Sequence, residues 1–263
     1  MTLVRSQPGS IWRLKLDRPE ARNAVSESML SELGRALGDA AVSPDARVVL
    51  LTGEGPHFCA GADLGELDGA AGGPGGTQFE QAFEEVLRLI GDHPLPVVAM
   101  IQGAALGAGC QIAVACDLAV AAIDARLGIP SSRLGILINF ENVQRLVHAV
   151  GSKRAAELLF TGRQVTGDRA AAWGLVNEAV QPEQLEERAE ELAEEVAAAA
   201  PLSVRGSKRG IRAVLDKASI DRETEGHRVT DFDMMAADAF SSEDLKEGVR
   251  AFREGRRPEF RGK

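Results

Sequence analysis

Several residue types are scarce in this chain, and each shortage argues against a class of function. The 263 residues include no tyrosine, and aromatic residues make up only 4 %. The chain therefore lacks the stacking surface typical of proteins that bind single-stranded nucleic acid. The formal net charge of −9 also disfavours binding to polyanions, so we expect no nucleic-acid partner.

Cysteine and histidine are also few. The three cysteines, Cys59, Cys110 and Cys116, lie in apolar or alanine- and glycine-rich segments without CxxC spacing. This pattern indicates reduced, buried thiols. The four histidines show no HxxxH or HExxH spacing, so no metal site is expected.

Long apolar runs are missing too. No run of eighteen apolar residues occurs, and the N-terminus shows no basic region followed by an apolar core. The sequence therefore predicts a cytoplasmic protein with no membrane span.

Two segments of small residues follow buried strands and are the most informative feature present. Val97 to Ile101 reads as a strand that leads through GAALGAG (103–109, the second elbow) into a helix predicted to start at Cys110. Arg47 to Thr52 reads as a strand that leads into a similar segment, 53–64 (the first elbow), in which Asp63 resembles a capping residue. The glycine-rich segment 69–76 reads as a mobile loop beside it.

Each elbow directs backbone N–H groups at whatever occupies it, because the first turn of a helix leaves these groups without partners. Such a site suits an oxygen with negative charge, either a phosphate or the enolate oxygen of an activated carbonyl. Two elbows about forty-five residues apart predict two donors that converge on one oxygen.

Three blocks of sequence resemble a known family. FCAGADL (58–64), ALGAGCQIAVACDLAVAA (105–122) and LDRPEARNAV (16–25) are similar to the signature blocks of the crotonase (enoyl-CoA hydratase/isomerase) superfamily. The likeness continues to GRRPEF (255–260) and covers essentially the whole chain in the expected order. It is closest to actinobacterial enoyl-CoA hydratase-like paralogues, several of which also carry glutamine at position 111.

The resemblance implies an α/β fold, a crotonase-like spiral of stacked ββα units. Residues 1–200 would form the acyl-CoA-binding core. Residues 201–263 would form a C-terminal helical region that packs homotrimers, commonly paired into hexamers. The implied partner is an acyl-CoA thioester, with no cofactor apart from the coenzyme A of the substrate. The alternation of apolar strands with helical patterns favours the same α/β class.

The resemblance also assigns site residues. The oxyanion hole would consist of the backbone N–H groups of Ala62 and Ala108, the second of which is usually glycine in the family. Substrate contacts are implied for Arg22, Ala24, Ala60, Asp63, Leu64, Gly65 and Phe260.

The carboxylates expected for catalysis are missing. Hydratases of this family carry one glutamate just after the second elbow and another about twenty residues further on, and isomerases often place an acid at a third position. Gln111, Ser131 and Asn139 occupy these positions here. An amide or a hydroxyl keeps the approximate shape of a carboxylate but does not exchange a proton near pH 7. The pattern predicts a retained pocket without its acid–base chemistry.

Other side chains leave the chemistry open. Glu141 is either a capping or surface residue of a helix predicted to run to Val150, or a displaced general base. His57 and His93 read as loop residues rather than bases. No GxSxG motif supports Ser131 as a nucleophile.

Two functions remain open at this point. One is an enoyl-CoA hydratase/isomerase family enzyme (lyase class) of fatty acid metabolism, with isomerisation through Glu141 as a variant. The other is a non-catalytic protein that binds and presents acyl-CoA. A dinucleotide site at the second elbow is disfavoured, because Ile112 stands where a third small residue belongs. The six basic residues among the last fourteen are either a solvated tail or a contact for ligand phosphates.

Overall fold

The computed structural model describes residues 4–63, 78–216, 234, 238, 242–254 and 256–263. Its strands are β1 Val4–Gln7, β2 Ile11–Leu16, β3 Val48–Gly53, β4 Val97–Ile101, β5 Ala104–Leu106, β6 Leu118–Ala122, β7 Arg126–Gly128, β8 Val165–Thr166 and β9 Glu178–Val180. Its α-helices are α1 Glu27–Val42, α2 Gln78–Gly91, α3 Ala108–Ala115, α4 Phe140–Thr161, α5 Gly167–Trp173, α6 Leu185–Ala198, α7 Pro201–Asp216 and α8 Glu243–Glu254. The predicted α/β class is confirmed.

The strands form two sheets, and the chain moves between them. The main sheet has the order β1-β2-β3-β4-β6-β9; among these described strands β1 and β2 pair antiparallel and the others pair parallel. Strands β5, β7 and β8 form a second sheet. β4 is followed by β5 and then α3, and β6 is followed by β7 and then α4. Each ββα unit adds one strand to each sheet, as the resemblance predicts.

Equivalent positions in successive units lie side by side. β3 pairs with β4 in the main sheet, with Leu50 opposite Val98. Cys59, which follows β3, forms a parallel bridge with Ala105 of β5, and Ala105 pairs with Leu127 of β7. Segments far apart in sequence therefore become neighbours across the stack of units.

The core lies on both faces of the main sheet. Every residue of β3 and all but one of β4 are buried, as expected for parallel strands that are covered on both sides. The α1 helix begins after Ser26, whose Oγ accepts a hydrogen bond from the Met29 N–H at 3.3 Å. Its residues at helical spacing, such as Leu33 and Leu37, are fully buried.

One predicted helix boundary is wrong and another is confirmed. α3 begins at Ala108 rather than at Cys110, because Gly107, with φ of 52°, already turns the chain and acts as the N-cap. The helix predicted to run to Val150 does so, because Gly151 (φ 77°, ψ 161°) is non-helical and separates this stretch from a second helical stretch that ends at Thr161. The glycine-rich segment 69–76 lies outside the described residues.

α7 starts at Pro201, where the sequence predicts a second region. Lys208 of α7 is buried and anchors this helix to the core. Its Nζ donates to the carbonyls of Ile90 and Leu95 at 3.1 and 3.0 Å and contacts Asp117 Oδ2 at 2.7 Å. The trimeric assembly stays a prediction. Within the described part of the chain, no helix has the length and apolar character needed to cross a bilayer.

Candidate functional site

Backbone hydrogen bonds hold the two elbows together. The Cys59 N–H donates to the Ala104 carbonyl at 2.9 Å, and the Leu106 N–H donates to the Cys59 carbonyl at 3.0 Å. A Cβ atom at Gly109 would lie 2.2 Å from the Cys59 oxygen, so this approach requires glycine. The fold therefore brings the two predicted elbows into direct contact.

Ala62 lies in the first elbow beside Val25. The Val25 N–H donates to the Gly61 carbonyl, and the Asp63 N–H donates to the Val25 carbonyl, both at 2.8 Å. In such a parallel bridge the residue between the two bonds directs its own N–H to the other side. The Ala62 N–H therefore points away from Val25.

Ala108 is the first residue of α3. The Gly107 N–H before it donates to the Gly128 carbonyl at 2.9 Å, which fixes the second elbow to the end of β7. The N–H of a first helical residue has no acceptor within its own helix. Within the described part of the chain the Ala108 N–H has no hydrogen-bond acceptor, so it can serve as a donor beside the contact between the two elbows.

Gln111 and Ser131 both lie near the second elbow. Gln111 Nε2 donates to the Gly107 carbonyl at 3.4 Å, so the amide folds back over the first turn of α3. Ser131 comes three residues after Gly128, the hydrogen-bond partner of Gly107, and both side chains are half-buried. Two of the three positions expected to carry carboxylates are thus held here by neutral groups.

Asn139 and Glu141 lie at the start of α4. Asn139 is the N-cap, because its Oδ1 accepts the Asn142 N–H at 2.9 Å. Glu141 lies in the first turn and is exposed, where a negative charge stabilises the helix dipole. This geometry favours the surface interpretation of Glu141.

A carboxylate that the sequence analysis missed faces the same turn of α4. Glu84 Oε1, on α2, accepts a hydrogen bond from Asn142 Nδ2 at 2.9 Å. Asn142 is buried, and its Oδ1 accepts from Arg145 Nη1 at 2.6 Å. No sequence motif marks Glu84, since its partner lies 58 positions away.

The two histidines considered as bases serve the fold. His57 Nδ1 accepts the Ala104 N–H at 3.1 Å and so adds a link between the elbows. His93 is buried, with Nε2 3.0 Å from the Leu37 carbonyl and Nδ1 3.1 Å from the Leu95 N–H. Burial lowers the pKa of His93, which keeps the ring neutral at pH 7.

The predicted CoA-contacting segment 22–24 lies against the first elbow. The Arg22 carbonyl accepts the Ala60 N–H at 3.0 Å. The next residue, Asn23, is fully buried, and its Nδ2 donates to the carbonyls of Glu54 and His57 at 2.9 and 2.7 Å. Arg22, Ala24 and Ala60 are thus gathered at one place, and their contact with a ligand stays a prediction.

Asp63 ends the described part of the first elbow. Its carboxylate forms an ion pair with Arg18, which ties the elbow to the segment that follows β2. The predicted contacts Leu64 and Gly65, and any helix that Asp63 would cap, lie outside the described residues.

The C-terminal tail returns along α8. Asp244, which is buried, accepts the N–H groups of Arg261 and Gly262 at 2.6 and 2.7 Å. The Phe260 ring lies over Gly248, with Cε1 3.4 Å from where a Cβ would be. In this chain Phe260 therefore packs on α8, and a role in substrate binding stays a prediction.

Two basic residues of the tail region are already paired within the chain. Glu247 accepts hydrogen bonds from Arg250, from Arg256 Nη1 at 2.6 Å and from the Glu259 N–H at 3.0 Å. These contacts hold the pKa of Glu247 well below its usual value. Arg256 fixes the tail to α8 through Glu247, whereas Arg250 belongs to α8 and pairs with Glu247 one turn away in the same helix.

Burial makes the thiols of two cysteines poorly reactive. Cys59 and Cys110 are fully buried, and burial raises the pKa of each to about 12. All three cysteines are free; Cys59 and Cys110 are buried as predicted, whereas Cys116, at the end of α3, is only partly buried. Among the described residues, no three side chains of His, Cys, Asp or Glu are grouped to hold a metal ion.

Comparisons with known proteins all indicate one family. The family model described as enoyl-CoA hydratase/isomerase matches residues 6–263. The chain is 34 % identical over 263 residues to the short-chain-enoyl-CoA hydratase of Clostridium acetobutylicum, which covers 98 % of this chain and 96 % of that protein. It is 31 % identical over 264 residues to the 2,3-dehydroadipyl-CoA hydratase of Escherichia coli, covering 99 % of both.

A solved structure extends the likeness to three dimensions. The crystal structure of enoyl-CoA hydratase from Bacillus anthracis matches with a TM-score of 0.85 and 32 % identity, over 99 % of this chain and 100 % of that one. The match includes the C-terminal helical region as well as the two sheets. The chain therefore belongs to the enoyl-CoA hydratase/isomerase family, within the crotonase superfamily.

Proposed function

We propose that this chain binds an acyl- or enoyl-CoA thioester, with the carbonyl oxygen between the N–H groups of Ala62 and Ala108. The contact between the elbows, through Cys59 and Gly109, is the observation that carries the proposal. The Ala108 N–H opens α3, and the Ala62 N–H points away from its neighbour Val25. Backbone donors held this rigidly stabilise negative charge on a carbonyl oxygen.

We further propose that hydration of the bound thioester is largely lost. Gln111 and Ser131 stand where the resemblance implies the two catalytic glutamates, and neither transfers a proton near pH 7. A positioned acid or base accelerates a reaction roughly 10²–10⁴-fold. Without both glutamates, the site can bind the thioester and polarise its carbonyl but lacks the groups that transfer protons. The function supported best is acyl-CoA binding and presentation in lipid metabolism.

Proton transfer without hydration is the second candidate. Glu84 supports it, because Asn142, which itself accepts a hydrogen bond from Arg145, holds this carboxylate at the first turn of α4. Glu141 is the alternative base on the same turn. The test is the exchange of the α-proton of a bound acyl-CoA in deuterium oxide. The rate of exchange is compared between the wild type, Glu84→Gln and Glu141→Gln. If exchange is lost in only one of the two variants, the residue replaced in that variant is the base. If the wild type shows no exchange, proton transfer is excluded as a function.

The binding proposal is tested with Ala108→Pro. Proline removes the N–H but is tolerated at the first position of a helix. We expect the affinity for a long-chain acyl-CoA, measured by calorimetry, to fall at least tenfold. Ala108→Ser keeps the N–H and is the matched control, which should bind nearly as the wild type does. A folded Ala108→Pro variant with unchanged affinity would contradict the oxyanion assignment.

A further inference from the structure

Arg22 and Asn23 adopt an unusual backbone conformation beside the first elbow. Their φ angles are 52° and 55°, and among the described residues they are the only ones other than glycine with positive φ. Asparagine tolerates this left-handed region better than most residues, but two consecutive side chains there are strained. Such strain persists only where the surrounding structure fixes the chain. This segment therefore requires contacts that hold it in place.

The Asn23 side chain supplies such contacts. It is fully buried, and its Oδ1 accepts the Arg18 N–H at 2.9 Å. Its Nδ2 donates to the carbonyls of Glu54 and His57 at 2.9 and 2.7 Å, so both N–H groups of the amide are used. One buried side chain therefore joins the strained segment to two points at the start of the first elbow.

The backbone of the same segment binds the rest of the first elbow. The Arg22 carbonyl accepts the Ala60 N–H at 3.0 Å, and Val25 exchanges hydrogen bonds at 2.8 Å with the two neighbours of Ala62. Segment 22–25 thus contacts the elbow from its start to the residues around Ala62. The direction of the Ala62 N–H depends on how this segment is held.

His57 extends the influence of Asn23 to the second elbow. The His57 carbonyl accepts the Asn23 amide, and its ring Nδ1 accepts the Ala104 N–H at 3.1 Å. Ala104 begins β5, the strand that leads through Gly107 to Ala108. A displacement of His57 would therefore change the position of one elbow relative to the other.

We propose that Asn23 is a positioning residue for the thioester site. Its amide fixes the path of the first elbow and thereby the direction of the Ala62 N–H. Because Asn23 is buried, it acts through this donor and does not touch the ligand. A hydrogen bond weakens steeply when its donor turns away from the acceptor, so a small shift of the elbow reduces the stabilisation of the carbonyl oxygen. The inference rests on the proposed function, since it requires that Ala62 binds this oxygen.

Two ligands that differ only in the carbonyl group test the positioning role. Octanoyl-CoA carries the thioester carbonyl, whereas the thioether octyl-CoA has a methylene group in its place. The ratio of their dissociation constants, measured by calorimetry on the full chain, reports what the carbonyl contributes to binding. We expect the wild type to favour octanoyl-CoA and Asn23→Gly to lose about tenfold of this preference, the equivalent of one or two hydrogen bonds.

A second variant covers the case in which Asn23→Gly does not fold. Glycine adopts the left-handed backbone readily but leaves the space of the side chain empty. Asn23→Asp fills that space and keeps an oxygen for the Arg18 N–H, but a carboxylate lacks the N–H groups that bind Glu54 and His57. It should show the same loss of preference.

Asn177→Gly is the matched control. Asn177 Oδ1 accepts the Ala119 N–H at 2.8 Å, near the amino end of β6. The elbows follow the carboxyl ends of β3 and β4, which run parallel to β6, so this asparagine lies at the other edge of the main sheet. The variant also loses a contact between an asparagine and the backbone, and it should keep the ratio of the wild type.

The outcomes separate the positioning role from the proposed function. A merely structural role of Asn23 would lower stability or weaken both ligands equally, and would leave the ratio unchanged in the folded variants. That result would overturn the positioning role and leave the thioester proposal standing. Equal affinity of the wild type for both ligands would contradict the oxyanion assignment itself, and with it the role of Asn23. An equal loss of preference in Asn177→Gly would also overturn the inference, because the effect would not be specific to the elbow.

Discussion

Replacing Gly109 by alanine places a methyl group against the contact that joins the two elbows. The new Cβ would lie 2.2 Å from the Cys59 oxygen and 2.8 Å from the Cys59 Cβ. The Cys59 carbonyl cannot rotate away, because it accepts the Leu106 N–H at 3.0 Å. The backbone of one elbow must therefore shift.

The expected loss in the free energy of unfolding is about 3 kcal/mol, the upper end of the range for overpacked substitutions. A shift of several tenths of an ångström also moves the Ala108 N–H, one residue away, relative to Ala62. We therefore expect the free energy of unfolding to fall by about this amount, and the affinity for acyl-CoA to fall at least tenfold in the protein that remains folded. Denaturant unfolding and calorimetric titration measure the two effects.

Gly38→Ala is the matched control. Gly38 lies inside α1, and a Cβ there would meet no atom within 4 Å. Alanine is favoured over glycine in a helix by about 0.5–1 kcal/mol, so this variant should gain stability and bind acyl-CoA normally. A Gly109→Ala protein with the stability and affinity of the wild type would refute the role assigned to the elbow contact.

Three further predictions concern other parts of the chain. Burial raises the pKa of Cys59 and Cys110 to about 12, so iodoacetamide at pH 8 should leave both thiols unmodified in the folded protein. Modification as fast as in an unfolded control would contradict this prediction. The pKa of Glu247 is depressed below 4.5, so its contribution to stability is complete above pH 4.5 and is lost as the pH falls below it. The difference in melting temperature between the wild type and Glu247→Gln should shrink over that range, and a difference independent of pH would exclude this linkage. Residues 201–263 are predicted to drive trimer formation, so sedimentation at micromolar concentration should show no predominant 27.9 kDa monomer.

Much of the fold and part of the site could be predicted from the sequence. The strands around Leu50 and Val98 were predictable because buried parallel strands are continuous apolar runs. The elbows were predictable because glycine and alanine allow close backbone approach. Their contact depends on the stacking of ββα units, which pairs Cys59 with Ala105 and which local pattern alone does not specify.

The features that could not be predicted depend on backbone conformation or on the packing of segments that are distant in sequence. The start of α3 was misplaced because Gly107 caps the helix through its backbone conformation, without a capping side chain. Glu84 was missed because its partner Asn142 is remote in sequence. The excess of arginine in the tail was visible, but the pairing of Arg256 with Glu247 required the tail to fold back on α8.

The rate of crotonyl-CoA hydration by the wild type, measured at thioester concentrations that saturate binding, tests the central claim most directly. We predict a bound thioester with turnover slower by several orders of magnitude than in a relative with both glutamates. We also predict a measurable rise in the double variant Gln111→Glu and Ser131→Glu, with much smaller effects of either change alone. Efficient hydration by the wild type would contradict the claim that this chain holds the thioester without hydrating it.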